Sequence, residues 1–225
     1  MPNWCHNVVV FRGDPEECRA FRELMGEQLA AFDFNAVAPM PPELEPCNTE
    51  TEIAYEIKYG EWESVPWWGA KNYPSREAAL QAARHPENAD RWGRVKFDGN
   101  DFPSREPQSF DEAADTGYAN VLKHGYAYWY GWAIEHWGTK WNTSPGHCSW
   151  AKRAGGEGVE FRTAWSPPVP VLERLAERFP TAEIQLEYSE PEMAFCGTVL
   201  FSGGVLTGSA HHDGPPPEAW PEVTK

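Results

Sequence analysis

The pattern of apolar and polar residues near the start of the chain predicts a strand, a helix and a second strand. His6–Phe11 is a short run rich in β-branched residues, which is typical of a strand. Asp14–Glu17 combines an N-cap residue, a first-turn proline and an acidic capping-box position, so a helix begins here. Apolar residues at helical spacing extend this helix to about residue 31. Residues 34–40 then predict a second strand, which a cluster of prolines ends.

The same succession of elements returns later in the chain. Residues 159–163 alternate between apolar and charged side chains, as a half-buried strand does. A helix follows from Ser166, and residues 171–179 supply its apolar face. Residues 184–188 and 195–201 predict two further strands. The predicted order is therefore β-α-β, a long insertion, and β-α-β-β.

This order indicates the fold class and the organisation of the chain. Two β-α-β halves match a split β-α-β sheet, the ferredoxin-like arrangement, so we expect an α+β fold. Residues 1–42 and 158–208 are predicted to form one ferredoxin-like domain. Residues 43–157 form a long, Trp-rich, acidic and mainly helical insertion between its halves, with a long helix over 113–137. Residues 209–225 are predicted to form a flexible, Pro-rich tail.

Composition and charge narrow the class of protein. The 225 residues carry 19 Lys and Arg against 34 Asp and Glu, so the net charge is −15. This balance opposes binding to duplex DNA and docking on anionic lipid, because both need an excess of cations. The 12 tryptophans in so acidic a chain indicate packed apolar contacts rather than a disordered acidic segment.

Two further features bear on location and redox state. No apolar run approaches the roughly 18 residues of a membrane span, and no leader pattern opens the sequence, so a cytoplasmic protein is expected. The five cysteines are widely spaced without a C-x-x-C pair, which favours reduced, structural thiols over a disulfide framework or a local zinc site. The sequence predicts no metal, cofactor or catalytic residue.

Four short motifs carry a resemblance to a known family. They are MPNWCHN at residues 1–7, APMP at 38–41, WGTKWN at 137–142 and FRTAWSPP at 161–168. Together they resemble the YubB-like proteins, a family with a ferredoxin-like domain carried largely by phages and plasmids. The resemblance extends from residue 1 to about 205. It implies a ferredoxin-like fold and a mobile element in a bacterial host, and it supplies no catalytic residues.

The most suggestive candidate for binding is the WGTKWN turn. Two tryptophan faces beside a lysine suit a nucleobase or a peptide. The same residues also suit a structural role that pins the insertion onto the sheet, with Gly138 as a left-handed helix cap. Residues at strand ends join the turn as binding candidates. The full aromatic and polar set is Trp137, Gly138, Thr139, Lys140, Trp141, Asn142, Trp165, Asn3 and Trp4.

An acidic group provides the second set of binding candidates. Five carboxylates cluster within 14 positions of the insertion, namely Glu50, Glu52, Glu56, Glu61 and Glu63. Carboxylates spaced like phosphates compete for a basic groove on a nucleic-acid-binding enzyme. The simpler interpretation is a solvated, solubilising surface.

These observations favour a non-enzymatic accessory protein of a mobile element. We expect it to bind a host or phage protein through an acidic, Trp-rich surface, and to inhibit a nucleic-acid-handling or defence system if the acidic groups act as mimics. The first alternative is a single-stranded nucleic-acid-binding protein that uses Trp stacking, including Trp67 and Trp68, with cations from Lys152 and Arg153 beside Lys140. The second alternative is an enzyme with a Cys/His or metal site, which no motif supports.

Overall fold

Six helices and eight strands follow one another in the computed structural model, which describes residues 3–26, 32–65, 72–96, 104–143, 147–153 and 156–215. In chain order they are β1 (Trp4–Arg12), α1 (Pro15–Met25), α2 (Thr49–Lys58), α3 (Arg76–Ala83), β2 (Arg94–Lys96), β3 (Ser104–Glu106), α4 (Phe110–His124), α5 (Trp129–Trp137), β4 (Ser149–Arg153), β5 (Gly156–Ala164), α6 (Val169–Arg178), β6 (Glu183–Glu190), β7 (Phe195–Ser202) and β8 (Val205–Asp213). Short 3₁₀-helices cover Phe34–Ala36, Trp62–Ser64 and Pro86–Trp92.

The main sheet has six strands in the order β4-β5-β1-β6-β7-β8, and neighbouring strands are antiparallel. Because β5 and β6 both run antiparallel to β1, they run parallel to each other with β1 between them, and α6 connects them. In the same way β1 and β4 run parallel on either side of β5, and α1 lies between them in the chain. Two interleaved split β-α-β units are the ferredoxin-like arrangement, and β7 and β8 extend its β6 edge.

The chain divides into two compact units. The sheet unit comprises Met1–Pro39 and Ala133–Lys225, and the insertion unit comprises Met40–Trp132. The insertion unit begins three residues before the predicted segment 43–157 and ends 25 residues before its C-terminal end, because residues 133–157 belong with the sheet unit. In the chain it interrupts the first β-α-β half, between α1 and β4.

The strand predicted over residues 34–40 is wrong. Phe34–Ala36 forms a single 3₁₀ turn, because the Asp33 side chain accepts a hydrogen bond from the Asn35 amide at 2.9 Å. Such a local cap offers the backbone an alternative to a sheet. The place of the second strand of this half is taken by β4, more than a hundred residues later than α1.

Glycines account for two further differences from the predicted elements. The long helix over residues 113–137 is two helices, because Gly125 adopts a left-handed φ of 83° and ends α4. Gly203 and Gly204, with φ of 66° and 78°, form a tight turn that returns the chain alongside β7. Residues 209–213 therefore belong to β8 and are not a loose tail, whereas residues 216–225 lie outside the described part of the chain.

The core of the sheet unit lies between the sheet and its helices. Phe11 of β1 stacks on Phe21 of α1 with ring centroids 4.4 Å apart, and both side chains are fully buried. The apolar face of α6 packs against β6 and β7, and its Leu172 and Leu175 are buried. Each such side chain stabilises the fold by about 1.5–3 kcal/mol, so this face fixes the position of α6.

The insertion unit has its own core, built where α2 meets α4. Ile53 and Ile57 of α2 are buried together with Phe110 of α4 and Trp92. Gly117 permits this close approach, because a Cβ atom there would lie 2.8 Å from the Tyr55 Cβ. The insertion is thus a packed unit with a hydrophobic centre. Among the described residues, no helix has the length and apolar character that crossing a bilayer requires.

Candidate functional site

Trp165 occupies an unusual position at the end of β5. Its backbone has a left-handed φ of 76°, which is uncommon for a bulky residue, and its side chain is 45% exposed. The Trp165 amide donates to the Asn3 carbonyl at 3.0 Å, and the buried Thr139 hydroxyl donates to the preceding carbonyl of Ala164 at 2.8 Å. These hydrogen bonds hold the strained conformation and direct the indole away from the core.

The WGTKWN turn supplies the support for this strand end. Gly138 has a φ of 79°, and a Cβ atom there would lie 2.5 Å from the Pro170 Cδ. Its carbonyl accepts a hydrogen bond from the Ser166 hydroxyl at 2.6 Å. Glycine is therefore required at this position for two reasons: its backbone is left-handed, and a side chain would collide with Pro170.

Three of the predicted binding residues in this turn are structural. Trp137 is buried and donates from Nε1 to the Ala38 carbonyl at 2.8 Å. Thr139 is fully buried, as described above. The Asn142 amide oxygen accepts the backbone N–H of Phe34 at 2.9 Å, while its Nδ2 donates to Asp33 at 2.6 Å. These three side chains therefore hold the turn against other segments of the sheet unit, which is a structural role.

Three of the exposed tryptophans lie at one end of the sheet, whereas the exposed Trp150 lies in β4 opposite Val159. Trp4 begins β1 directly opposite Ala164 and is 40% exposed. Trp141 is 39% exposed, and its ring lies 6.5 Å from that of Trp4 at an interplanar angle of 46°. The Lys140 ammonium lies 4.6 Å from the centre of the Trp141 ring, within the range of a cation–π contact. We call Trp4, Trp141 and Trp165 the tryptophan surface.

A small pocket adjoins this surface. It has a volume of about 80 Å³ and is lined by Trp4, Asn142, His147 and Arg162. Arg162 and His147 were not among the predicted binding residues. Arg162 could have been found from the sequence, because charged and apolar residues alternate along β5 and Arg162 is on the exposed side. In the sheet it lies opposite His6 of β1. This end of an acidic chain therefore presents cationic side chains beside its indoles.

A buried polar network lies beneath the tryptophan surface. Asn7 donates from Nδ2 to the Thr163 hydroxyl at 2.8 Å, and this hydroxyl donates to the Ser166 carbonyl at 2.7 Å. Cys5 lies in the same layer, where burial and the nearby Glu190 carboxylate raise the pKa of its thiol to about 12. A thiol with this pKa stays protonated near neutral pH and is a poor nucleophile.

The cysteines and histidines do not converge in the described part of the chain. There, no three His, Cys, Asp or Glu side chains are placed to share a metal ion. Cys148 instead accepts a hydrogen bond from the Phe32 amide at 3.2 Å, which ties β4 to the segment before the 3₁₀ turn. His136 contacts Arg174 at 2.8 Å, and burial together with this guanidinium lowers the pKa of the imidazole.

The five candidate glutamates all lie in the insertion unit, on α2 and just after it. Glu50 lies 4.0 Å from Arg105, and Glu56 accepts a hydrogen bond from the Glu61 amide at 2.5 Å. Glu52 and Glu63 are exposed. Glu52 also accepts a hydrogen bond from Tyr128, so three of the five are already engaged by neighbouring groups. Trp67 and Trp68, and the side chains of Lys152 and Arg153, lie outside the described residues.

The fold defines an α+β protein with a ferredoxin-like sheet, and one protein-family model agrees. A family model described as the ferredoxin-like domain in Api92-like protein matches residues 136–222. One similar solved structure is protein api92 from Yersinia pseudotuberculosis, with 14% sequence identity and a TM-score of 0.45. The match covers 96% of this chain and 100% of that one. No curated protein matches the sequence.

Proposed function

We propose that this protein is a non-enzymatic binding module that docks on a partner protein through the tryptophan surface. The observation that carries the proposal is Trp165, a large apolar side chain held partly exposed on a left-handed backbone. Such strain costs about 1–3 kcal/mol and persists where the surroundings impose it, which is typical of binding sites. Removing Trp165 from solvent in a complex gains apolar contact that the isolated chain lacks.

The grouping of the indoles supports a protein partner. Tryptophan and arginine are enriched among the residues that contribute most to protein interfaces, and Arg162 lies beside Trp4. The rigid hydrogen-bonded support of the strand end lowers the entropy lost on docking, since little remains to be ordered. We therefore expect an apolar partner patch with acidic groups at its rim, facing Lys140 and Arg162.

Charge modifies the mechanism predicted from the sequence. The net charge of −15 suggested contact through the acidic groups of the insertion. At physiological salt, however, charges are screened beyond roughly 8 Å. The cations beside the indoles therefore contribute more to the electrostatics of docking at this surface than the distant acidic groups do. The acidic excess then discourages binding to nucleic acid elsewhere on the chain. Mimicry by the five glutamates stays a prediction, and the geometry favours the tryptophan surface.

The biological setting rests on the YubB-like resemblance. We place the partner among the proteins of a bacterial host or its phages, and propose that the contact inhibits a nucleic-acid-handling or defence system. The resemblance supports a mobile-element origin and a cytoplasmic location.

A pull-down experiment tests this proposal. The tagged protein is incubated with bacterial lysate, with and without phage infection, and the captured proteins are compared for the wild type and the Trp141→Ala/Trp165→Gly double variant. Leu206→Ala is the matched control, because Leu206 is also 45% exposed but follows the turn at the opposite end of the sheet. A stoichiometric partner retained by the control and lost by the double variant supports the proposal. Equal capture by all three proteins contradicts it.

Binding of single-stranded nucleic acid is the second candidate, because Lys140, Arg162 and His147 lie beside exposed indoles. The tilt of 46° between the Trp4 and Trp141 rings leaves no parallel slot for a base, so stacking is limited to their outer faces. Lys140 also covers one face of Trp141. Fluorescence titration with single-stranded oligonucleotides at low salt is the test, and Lys140→Ala should weaken any binding about twofold to tenfold.

A further inference from the structure

One concave site of distinctive composition lies wholly within the insertion unit. It is a cavity of about 210 Å³ between α2, the C-terminal end of α4 and the segment that leads into α5. Its polar lining consists of two carboxylates and three phenol rings, contributed by Glu52, Glu56, Tyr55, Tyr126 and Tyr128. The tryptophan surface belongs to the other unit and shares no residue with it.

The two carboxylates enter this cavity from the same helix. Glu52 and Glu56 are one turn apart on α2, so their side chains lie on the same face. Desolvation raises the pKa of Glu52 above its usual value, and the neighbouring Glu56 carboxylate raises it further. A hydrogen bond from Tyr128 partly offsets this rise. The site therefore concentrates negative charge along one face of α2 that lines the cavity.

The described residues do not neutralise this charge. Neither Glu52 nor Glu56 has an ion pair with a lysine or arginine in that part of the chain, and Glu56 accepts only the Glu61 amide at 2.5 Å. By contrast, Asp111 and Asp115 of the same unit share Lys58 at 2.9 and 2.6 Å. Lys58 thus compensates the charge of Asp111 and Asp115. In the described part of the chain, no lysine or arginine does the same for Glu52 and Glu56.

The aromatic walls are set by buried and closely packed groups. Tyr128 is only 9% exposed, and burial raises the pKa of its phenol to about 12, so the ring stays neutral. At Gly131 a Cβ atom would lie 2.9 Å from the Tyr126 ring, so only glycine leaves that ring in place. Glycine in a helix costs about 1 kcal/mol relative to alanine, and the position of Tyr126 accounts for it here.

We propose that this cavity binds an alkylammonium group. Phenol rings attract cations through their quadrupole, and the two neighbouring carboxylates add negative charge. A cavity of about 210 Å³ accommodates the methylated or primary ammonium end of a small molecule or of a lysine side chain. The proposal stands apart from the tryptophan surface, and the two are tested with different ligands.

The experiment follows the backbone amides of Gly125 and Gly131 by ¹H–¹⁵N NMR in the full chain. The probes are choline, its neutral isostere 3,3-dimethylbutanol, and short peptides that contain lysine or trimethyllysine. Saturable shifts with choline and none with the isostere are expected. Peptides that bind about tenfold more tightly than choline identify a lysine side chain as the source, and the reverse order identifies a small molecule.

Two kinds of variant make the result decisive. Glu52→Gln/Glu56→Gln should weaken choline binding at least about tenfold, whereas the charge-matched Glu45→Gln/Glu77→Gln control, at exposed positions, should not change it. Gly131→Ala favours the helix but displaces Tyr126, so binding should fall without loss of folding. Equal binding of choline and its isostere, absence of saturable shifts, or full binding by the double variant would overturn the proposal.

Discussion

The Nδ2 atom of Asn7 donates a hydrogen bond to the Thr163 hydroxyl across β1 and β5 at a distance of 2.8 Å. Both side chains are buried, and the Thr163 hydroxyl in turn donates a hydrogen bond to the Ser166 carbonyl at 2.7 Å. Two motifs that lie 156 positions apart in the chain are joined by this contact. It fixes the loop that carries Trp165, so a buried amide determines the position of an exposed indole.

Replacing Asn7 tests this relationship. Asn7→Ala removes the donor to Thr163 and to the Cys5 carbonyl, which leaves buried acceptors without partners. We expect unfolding to become easier by about 2 kcal/mol in urea denaturation. Ser209→Ala, an exposed change in β8, is the control and should stay within about 0.5 kcal/mol of the wild type. A loss at Asn7 no larger than that of the control would show that the network adds nothing to stability.

Two substitutions of Trp165 distinguish its effect on stability from its effect on binding. In a left-handed conformation glycine is unstrained, whereas alanine keeps the steric penalty of a Cβ atom. Trp165→Gly should therefore be about 1 kcal/mol more stable than Trp165→Ala, as measured by thermal unfolding. Both variants should lose partner capture to the same degree. If glycine proved less stable than alanine, the left-handed conformation of this residue would be wrong.

Gly138 combines conformational and steric constraints. Gly138→Ala introduces a Cβ atom in a left-handed residue and places it 2.5 Å from Pro170. Gly203→Ala, in the same unit, has a φ of 66° but nothing within 4 Å of the added atom. The Gly203 variant should lose about 1 kcal/mol and the Gly138 variant at least about 1 kcal/mol more, in parallel urea denaturation. Equal losses would mean that the turn moves away from Pro170 without cost.

Acid should weaken the insertion unit through Asp111. Hydrogen bonding from Arg84, and then from Lys58, lowers the pKa of Asp111 from 3.8 to about 2. Because the folded-state pKa lies below the unfolded one, the stabilisation is present above about pH 4 and is lost as the pH falls towards 2. Asp111 is 44% exposed, so solvent screening limits its contribution to about 1 kcal/mol.

The measurement compares urea denaturation of the wild type, Asp111→Asn and the exposed control Asp90→Asn at neutral and acid pH. Asp111→Asn should be less stable than the wild type near neutral pH, and this difference should shrink on acidification. Asp90→Asn should follow the wild type. A difference that is constant across the pH range would assign the effect to packing and not to the ion pairs.

Local patterns predicted much of the secondary structure. The first strand, the capping box at Asp14 and the amphipathic helix α6 all follow from residue types at short spacing, because each needs only its neighbours in the chain. The segment at residues 34–40 was predicted incorrectly, because its short apolar run does not distinguish a strand from a turn capped by Asp33. The strand that completes the first β-α-β half, β4, could therefore be recognised only from its pairing with β5 in the tertiary structure.

The sequence by itself determined the ferredoxin-like class and the candidate motifs, since hydrophobic periodicity and caps act locally. Only the tertiary structure decided which tryptophans are exposed, with Trp137 in the core and Trp141 and Trp165 at the surface. It also brought Arg162 beside Trp4, and three tyrosines around two glutamates. The reason is physical: burial and proximity depend on contacts between residues distant in the chain, and the spacing of residues does not encode those contacts.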